Sequence, residues 1–177
     1  MIRVEIDDRA VLGALSELLR RVSDPRPALA DIGEYLIAST RRRFAEGRAP
    51  DGTPWAPNSP VTVLRYLSRF GGTRRKRGGG LTKRGAAMAG AKKPLIGETR
   101  RLSTEISYQI AADGVEVGSS MQYAAVQHFG AKKGEFGRTR RGAPIPWGDI
   151  PPRPFLGISE VDRAAILDII ADHLQRS

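Results

Sequence analysis

The chain has 177 residues, of which 40% are hydrophobic but only 6% aromatic; that length fits one domain, and its core must be mainly aliphatic. It has no cysteine, which excludes disulfides and thiolate metal sites and is compatible with a reducing compartment, and no apolar run nears the roughly 20 residues that span a bilayer. The formal net charge of +10 is concentrated, with nine Lys/Arg and no acid in residues 69–93, five Lys/Arg and one Glu in residues 132–141, and a mildly acidic remainder, which points to local partners rather than general adhesiveness.

The N-terminal MIRVEIDDRA lacks a charged-then-apolar signal architecture, so the expected product is soluble and intracellular. Within it, Ile2, Val4 and Ile6 alternate with polar residues and predict a short strand. Asp7 or Asp8 then caps a helix whose apolar stripe is Val11, Leu15, Leu18 and Val22. Asp24-Pro25 closes it and opens a second helix along Leu29, Ile32, Leu36, Thr40 and Phe44. Arg41-Arg42-Arg43 at its end suits the negative pole of the helix dipole and is expected to face solvent. Residues 47–60 form a loop by composition, with Pro50-Asp51-Gly52 as turn chemistry and Trp55 folded back over the core edge. Residues 61–70 predict a short helix.

Residues 70–94, FGGTRRKRGGGLTKRGAAMAGAKKP, are rich in glycine and cations and lack apolar periodicity, so an extended or mobile basic insertion is expected. Two alternating runs, 104–110 and 115–118, flank Asp113-Gly114 and predict a hairpin. Tyr123 to Phe129 reads as a short helix closed by Gly130. A second basic loop follows at 131–142. Then comes IPPRPFLGIS, residues 150–159, in which Pro151, Pro152 and Pro154 preset an extended strap. Phe155 and Leu156 are its apolar anchors, and Arg153 offers a forked donor to a carboxylate. Two readings of the strap stand: a core edge within one subunit, or a contact between subunits. Ser159 and Asp162 then make a capping-box-like start to the last helix. No internal repeat is present. The expected fold is α+β in a single domain, 1–177: a small antiparallel sheet with a β-hairpin packed against about three to four helices, plus the long basic loop.

The chemistry-bearing residues do not assemble into a familiar enzyme. His128 and His173 are the two histidines, His128 at a helix end where a partly protonated ring suits the dipole, His173 near the chain end and exposed. HExxH, GxSxG and GxxxxGK[ST] are absent. Glu98, Glu105, Asp113 and Glu116 follow the polar alternation of the hairpin. No cofactor or metal is expected. The cations are the stronger signal. Arg74, Arg75, Lys76, Arg77, Lys83, Arg84, Lys92 and Lys93 in the first loop, and Lys132, Lys133, Arg138, Arg140 and Arg141 in the second, are candidate contacts for DNA or an acidic partner. Base stacking needs aromatic rings, and the first loop offers only Phe70.

The uncharged motifs carry more information in their order. Phe44, then Pro50-Asp51-Gly52-Thr53-Pro54-Trp55, Pro94-Leu95-Ile96, the Gly97/Thr99/Leu102 cluster, Val115-Glu116-Val117-Gly118-Ser119, Tyr123-Ala124-Ala125-Val126-Gln127-His128-Phe129-Gly130, and Ile150-Pro151-Pro152-Arg153-Pro154-Phe155-Leu156-Gly157 together resemble the phage virion morphogenesis family, over about residues 1–175. Gly97 to Leu102 departs from the family pattern in order and spacing. The resemblance implies a structural virion protein without catalysis: a tail-completion or tail-terminator subunit, or a neck connector, at the head–tail junction, assembled in the bacterial cytoplasm. It implies a homo-oligomeric ring, a hexamer as first expectation, touching other neck and tail proteins and DNA passing through. The candidate interface residues are Trp55, Tyr123, His128, Phe129, Arg153, Phe155 and Leu156. The alternative is a nucleic-acid-binding protein that contacts DNA through loop 69–93.

Overall fold

The computed structural model describes residues 8–21, 24–74, 80–112 and 114–176. In chain order the elements are α1 (Arg9–Arg21), α2 (Arg26–Glu46), α3 (Pro60–Leu67), α4 (Lys83–Ala91), α5 (Arg101–Thr104), β1 (Ile106–Ala111), β2 (Gly114–Ser119), α6 (Ala124–Phe129) and α7 (Glu160–Arg176). The fold is α+β. β1 and β2 form an antiparallel hairpin with Ile106 opposite Ser119 and Ala111 opposite Gly114. This is the one sheet among the described residues. The strand expected at 2–6, and Val22 and Asp113, lie outside them.

α2 is the spine, because its apolar residues serve two cores. Toward its start, Ala28 and Ile32 pack with Val11 and Leu18 of α1 and with Ile166 and Ile170 of α7. Toward its end, Ile37 and Phe44 join Trp55, Leu102, Ile106, Ala124, Phe155 and Leu156. Burying each Val, Leu, Ile or Phe side chain of these cores contributes about 1.5–3 kcal/mol relative to exposure. The hairpin lies across α2 between these cores, and Gly33 makes that approach possible. A Cβ there would stand 2.5 Å from Tyr108 Cδ2. α1 begins where Asp8 Oδ1 accepts the Ala10 and Val11 amides, at 3.0 and 3.2 Å. Asp8 also pairs with Arg163 of α7 at 3.0 Å. His173 is half-buried rather than exposed, its Nε2 lying 2.9 Å from Asp31 Oδ2 on α2.

The 70–94 stretch departs from expectation. It contains α4, whose sequence KRGAAMAGA is built on alanine, the strongest helix former. Thr82 caps it: the hydroxyl accepts the Gly85 amide at 3.1 Å and donates to Gly72 O at 2.7 Å. Gly85 itself lies against the Thr73 carbonyl, where no Cβ would fit. Local capping and close backbone packing thus support a helix at Lys83–Ala91 without an apolar stripe. Arg75, Lys76 and Arg77 lie outside the described residues.

Candidate functional site

The strap at 150–157 is held from both sides by the chain's own groups. The Arg153 N–H donates to Gln127 O at 3.0 Å. Arg153 Nε and Nη2 donate to the carbonyls of Ala56 and Pro57, both at 2.9 Å. The expected carboxylate partner is therefore replaced by two backbone oxygens, and at 7% exposure the side chain is not offered outward. Trp55 Nε1 donates to Pro154 O at 2.7 Å. Phe155 is fully buried, with ring centroids 5.2 Å from Phe44 and 5.1 Å from His128.

A buried polar cluster anchors the strap to α2 and α7. Arg43 Nη1 donates to Phe155 O at 3.0 Å and Gly157 O at 2.9 Å. Its Nη2 pairs with Asp162. Asp162 also accepts from Ser39 Oγ at 2.5 Å and from the Ser159 amide and hydroxyl at 2.8 and 2.6 Å. The Asp162 amide returns a bond to Ser159 Oγ at 3.1 Å, completing the expected cap. Burial raises the pKa of the Asp162 carboxyl, but the hydrogen bonds from Ser159 and Ser39 and the charge of Arg43 outweigh it, so the net pKa is lowered. Arg43 is thus a correction to the solvated Arg41-Arg42-Arg43 end: it is buried, while Arg41 and Arg42 are exposed. The sequence did carry a signal, since Arg43 falls three residues after Thr40 on the same stripe as Phe44.

His128 is also corrected. It is buried, and its Nδ1 accepts the Phe155 amide at 3.3 Å, so the neutral ring is the one the site holds. Burial pushes its pKa below the ordinary value. An unfolded histidine titrates near about 6.5. The stability that His128 contributes is therefore full above that pH and is lost as the pH falls through the lower folded value. Urea titrations should show wild type losing stability between pH 7 and 5 relative to His128→Asn, which keeps an acceptor but does not titrate. Parallel pH profiles would contradict this.

The candidate interface residues thus divide. Trp55, His128, Arg153, Phe155 and Leu156 are buried inside the chain, whereas Tyr123 and Phe129 are exposed on and beside α6. An open groove of about 830 Å³ runs beside Tyr123, between residues 56–60, 95–97 and 149–151. The candidate cations divide too. Lys92 Nζ donates to Ile96 O and lies 5.5 Å from the Tyr66 ring centroid, and Lys93 Nζ donates to Ala45 O. Both ammonium groups are engaged by the fold. Arg74, Lys83 and Arg84 are exposed.

The second basic loop is a paired arm. Bridges join Ala131 to Ile150 and Arg138 to Pro144. Between them, the Gly134 amide donates to Pro146 O at 3.0 Å and the Phe136 amide to Ile145 O at 2.8 Å. Gly130, at φ +79°, starts the arm; a Cβ there would stand 2.6 Å from Ile150 O. Lys132, Lys133, Arg138, Arg140 and Arg141 are all exposed on it. So are Phe136 and Trp147, which sequence reasoning passed over because they are isolated in loop-like composition. Among the described residues, four of the five exposed aromatic rings lie between 123 and 147.

The model of the phage virion morphogenesis family matches residues 6–175. The chain belongs to this family. It is similar to tail completion protein S of Escherichia phage P2, 30% identical over 154 residues that cover 87% of each chain. No solved structure matches it significantly. Among the described residues, no helix is long and apolar enough to cross a membrane.

Proposed function

We propose that this chain is a structural tail-completion subunit that assembles with copies of itself into a ring at the head end of a phage tail, ends tail assembly there and joins tail to head. The observation that carries the reading is the family match along nearly the whole chain, supported by the similarity to a protein named for tail completion. The surface agrees in chemistry: exposed aromatic side chains such as Tyr123 and Phe129 suit a protein interface. Tyr123 and Phe129 of the α6 region are the neighbour contacts, since the strap is already closed within the subunit. Identical copies joined head to tail close into a ring when the rotation allows. Six is the first expectation, and other neck and tail proteins are the partners above and below.

Native mass spectrometry tests this. Wild type should give one closed assembly, roughly six times the subunit mass of 19.3 kDa for a hexamer. Phe129→Glu, at a position 61% exposed, should release subunits that melt where wild type melts under conditions that separate its subunits. Wild-type monomer at every concentration would contradict the reading, and an unchanged assembly in Phe129→Glu would remove α6 from the interface.

A further inference from the structure

We propose that the 131–150 arm binds a nucleic-acid strand, with its cations on phosphates and Trp147 and Phe136 against bases. The inference rests on the arm alone and does not require a ring. Both acids on the arm are exposed and accept backbone amides: Glu135 that of Lys132 at 2.6 Å, and Asp149 that of Lys133 at 2.8 Å. Among the described residues, none of the five cations of 132–141 meets a carboxylate. Arg138 Nη1 reaches only the Gly142 carbonyl, at 3.1 Å. Five cations against two acids leave a net positive charge on a backbone-paired scaffold. Nonspecific strand binding combines such charge with exposed rings on which bases stack. Trp147 is 78% and Phe136 53% exposed, and among the described residues neither ring packs against another. The described residues of the 70–94 segment lack this combination. Their one exposed ring, Phe70, stacks on Tyr66 with centroids 5.2 Å apart. A polyanion with accessible π-faces complements the arm in both respects; an acidic protein surface complements only the charge.

The two tryptophans make the test direct. Trp55 is buried, so the solvent-exposed indole emission reports Trp147. The full chain is titrated with a mixed-sequence single-stranded 20-mer and with its duplex, at 50 and 200 mM salt. Quenching of that emission is expected, with affinity falling on the order of a hundredfold between the two salts if all five cations engage a single strand. Read instead by the anisotropy of a fluorescein-labelled 20-mer, Trp147→Ala should weaken single-strand binding roughly 10- to 100-fold, and Trp147→Phe should recover most of it. Arg138→Ala/Arg140→Ala/Arg141→Ala should make the log–log salt slope shallower by about 2. Lys83→Ala/Arg84→Ala should leave binding unchanged, and circular dichroism checks that every variant folds. The proposal is overturned if neither DNA binds at 50 mM salt, if the arm variants bind like wild type, or if binding follows Lys83 and Arg84. It is equally overturned if Trp147 emission responds to protein concentration but not to DNA, which would make the arm a protein contact. A ring indifferent to DNA overturns this proposal and leaves the junction reading intact; a monomer that binds through the arm does the reverse.

Discussion

Asp162→Ala is expected to lower the free energy of unfolding by about 3–5 kcal/mol, because it leaves a buried Arg43 guanidinium without its counter-charge. The same substitution removes the acceptor for Ser39 and the side-chain half of the α7 cap. Replacing both members of the pair, as Arg43→Met/Asp162→Leu, should recover much of the loss, since an apolar pair of similar volume carries no unpaired charge. Asp162 has a folded pKa below the unfolded value of about 3.9. Its contribution is therefore present above that pH and is lost as the pH falls through the folded value. Denaturant titrations should show a component of acid destabilisation below about pH 4 in wild type that is missing in Asp162→Ala. A variant as stable as wild type at pH 7 would show the cluster to be dispensable.

Phe155→Ala should cost about 3–5 kcal/mol through lost burial and the cavity left between Phe44 and His128. For a chain of this size that corresponds to a fall of roughly 6–20 °C in melting temperature. The fall should be the same under conditions that favour assembly and conditions that favour separated subunits, because Phe155 is buried within its own chain. An unchanged melting temperature together with a lost assembly would return the strap to the intersubunit reading.

The parts of the fold legible in the sequence are those written in local pattern. The stripe of α2, the alternation around the hairpin, the Ser159/Asp162 cap and Gly130 after α6 all follow from period and turn chemistry. What was not legible depended on partners far away in sequence. Nothing near Arg43 announces that Asp162, 119 residues on, will neutralise it. Nothing near Arg153 shows that its fork will meet the carbonyls of Ala56 and Pro57 instead of a carboxylate. α4 escaped because composition rules weigh glycine and charge, whereas a threonine cap and an alanine run sufficed. The same holds at the surface. His128 and Phe129 are adjacent in sequence, yet one is buried and the other points outward, because α6 meets the strap along one side only. The aromatic arm was hidden by loop-like composition, and only the backbone pairing between 131–139 and 143–150 shows it as one element.

The most direct test of the central claim is the shape and mass of the purified wild-type protein, seen together by negative-stain microscopy and native mass spectrometry. The junction reading predicts closed rings of a single subunit number with a central opening, and their loss in Phe129→Glu without loss of subunit stability. Uniform monomers, or open-ended filaments with no closed form, would contradict it.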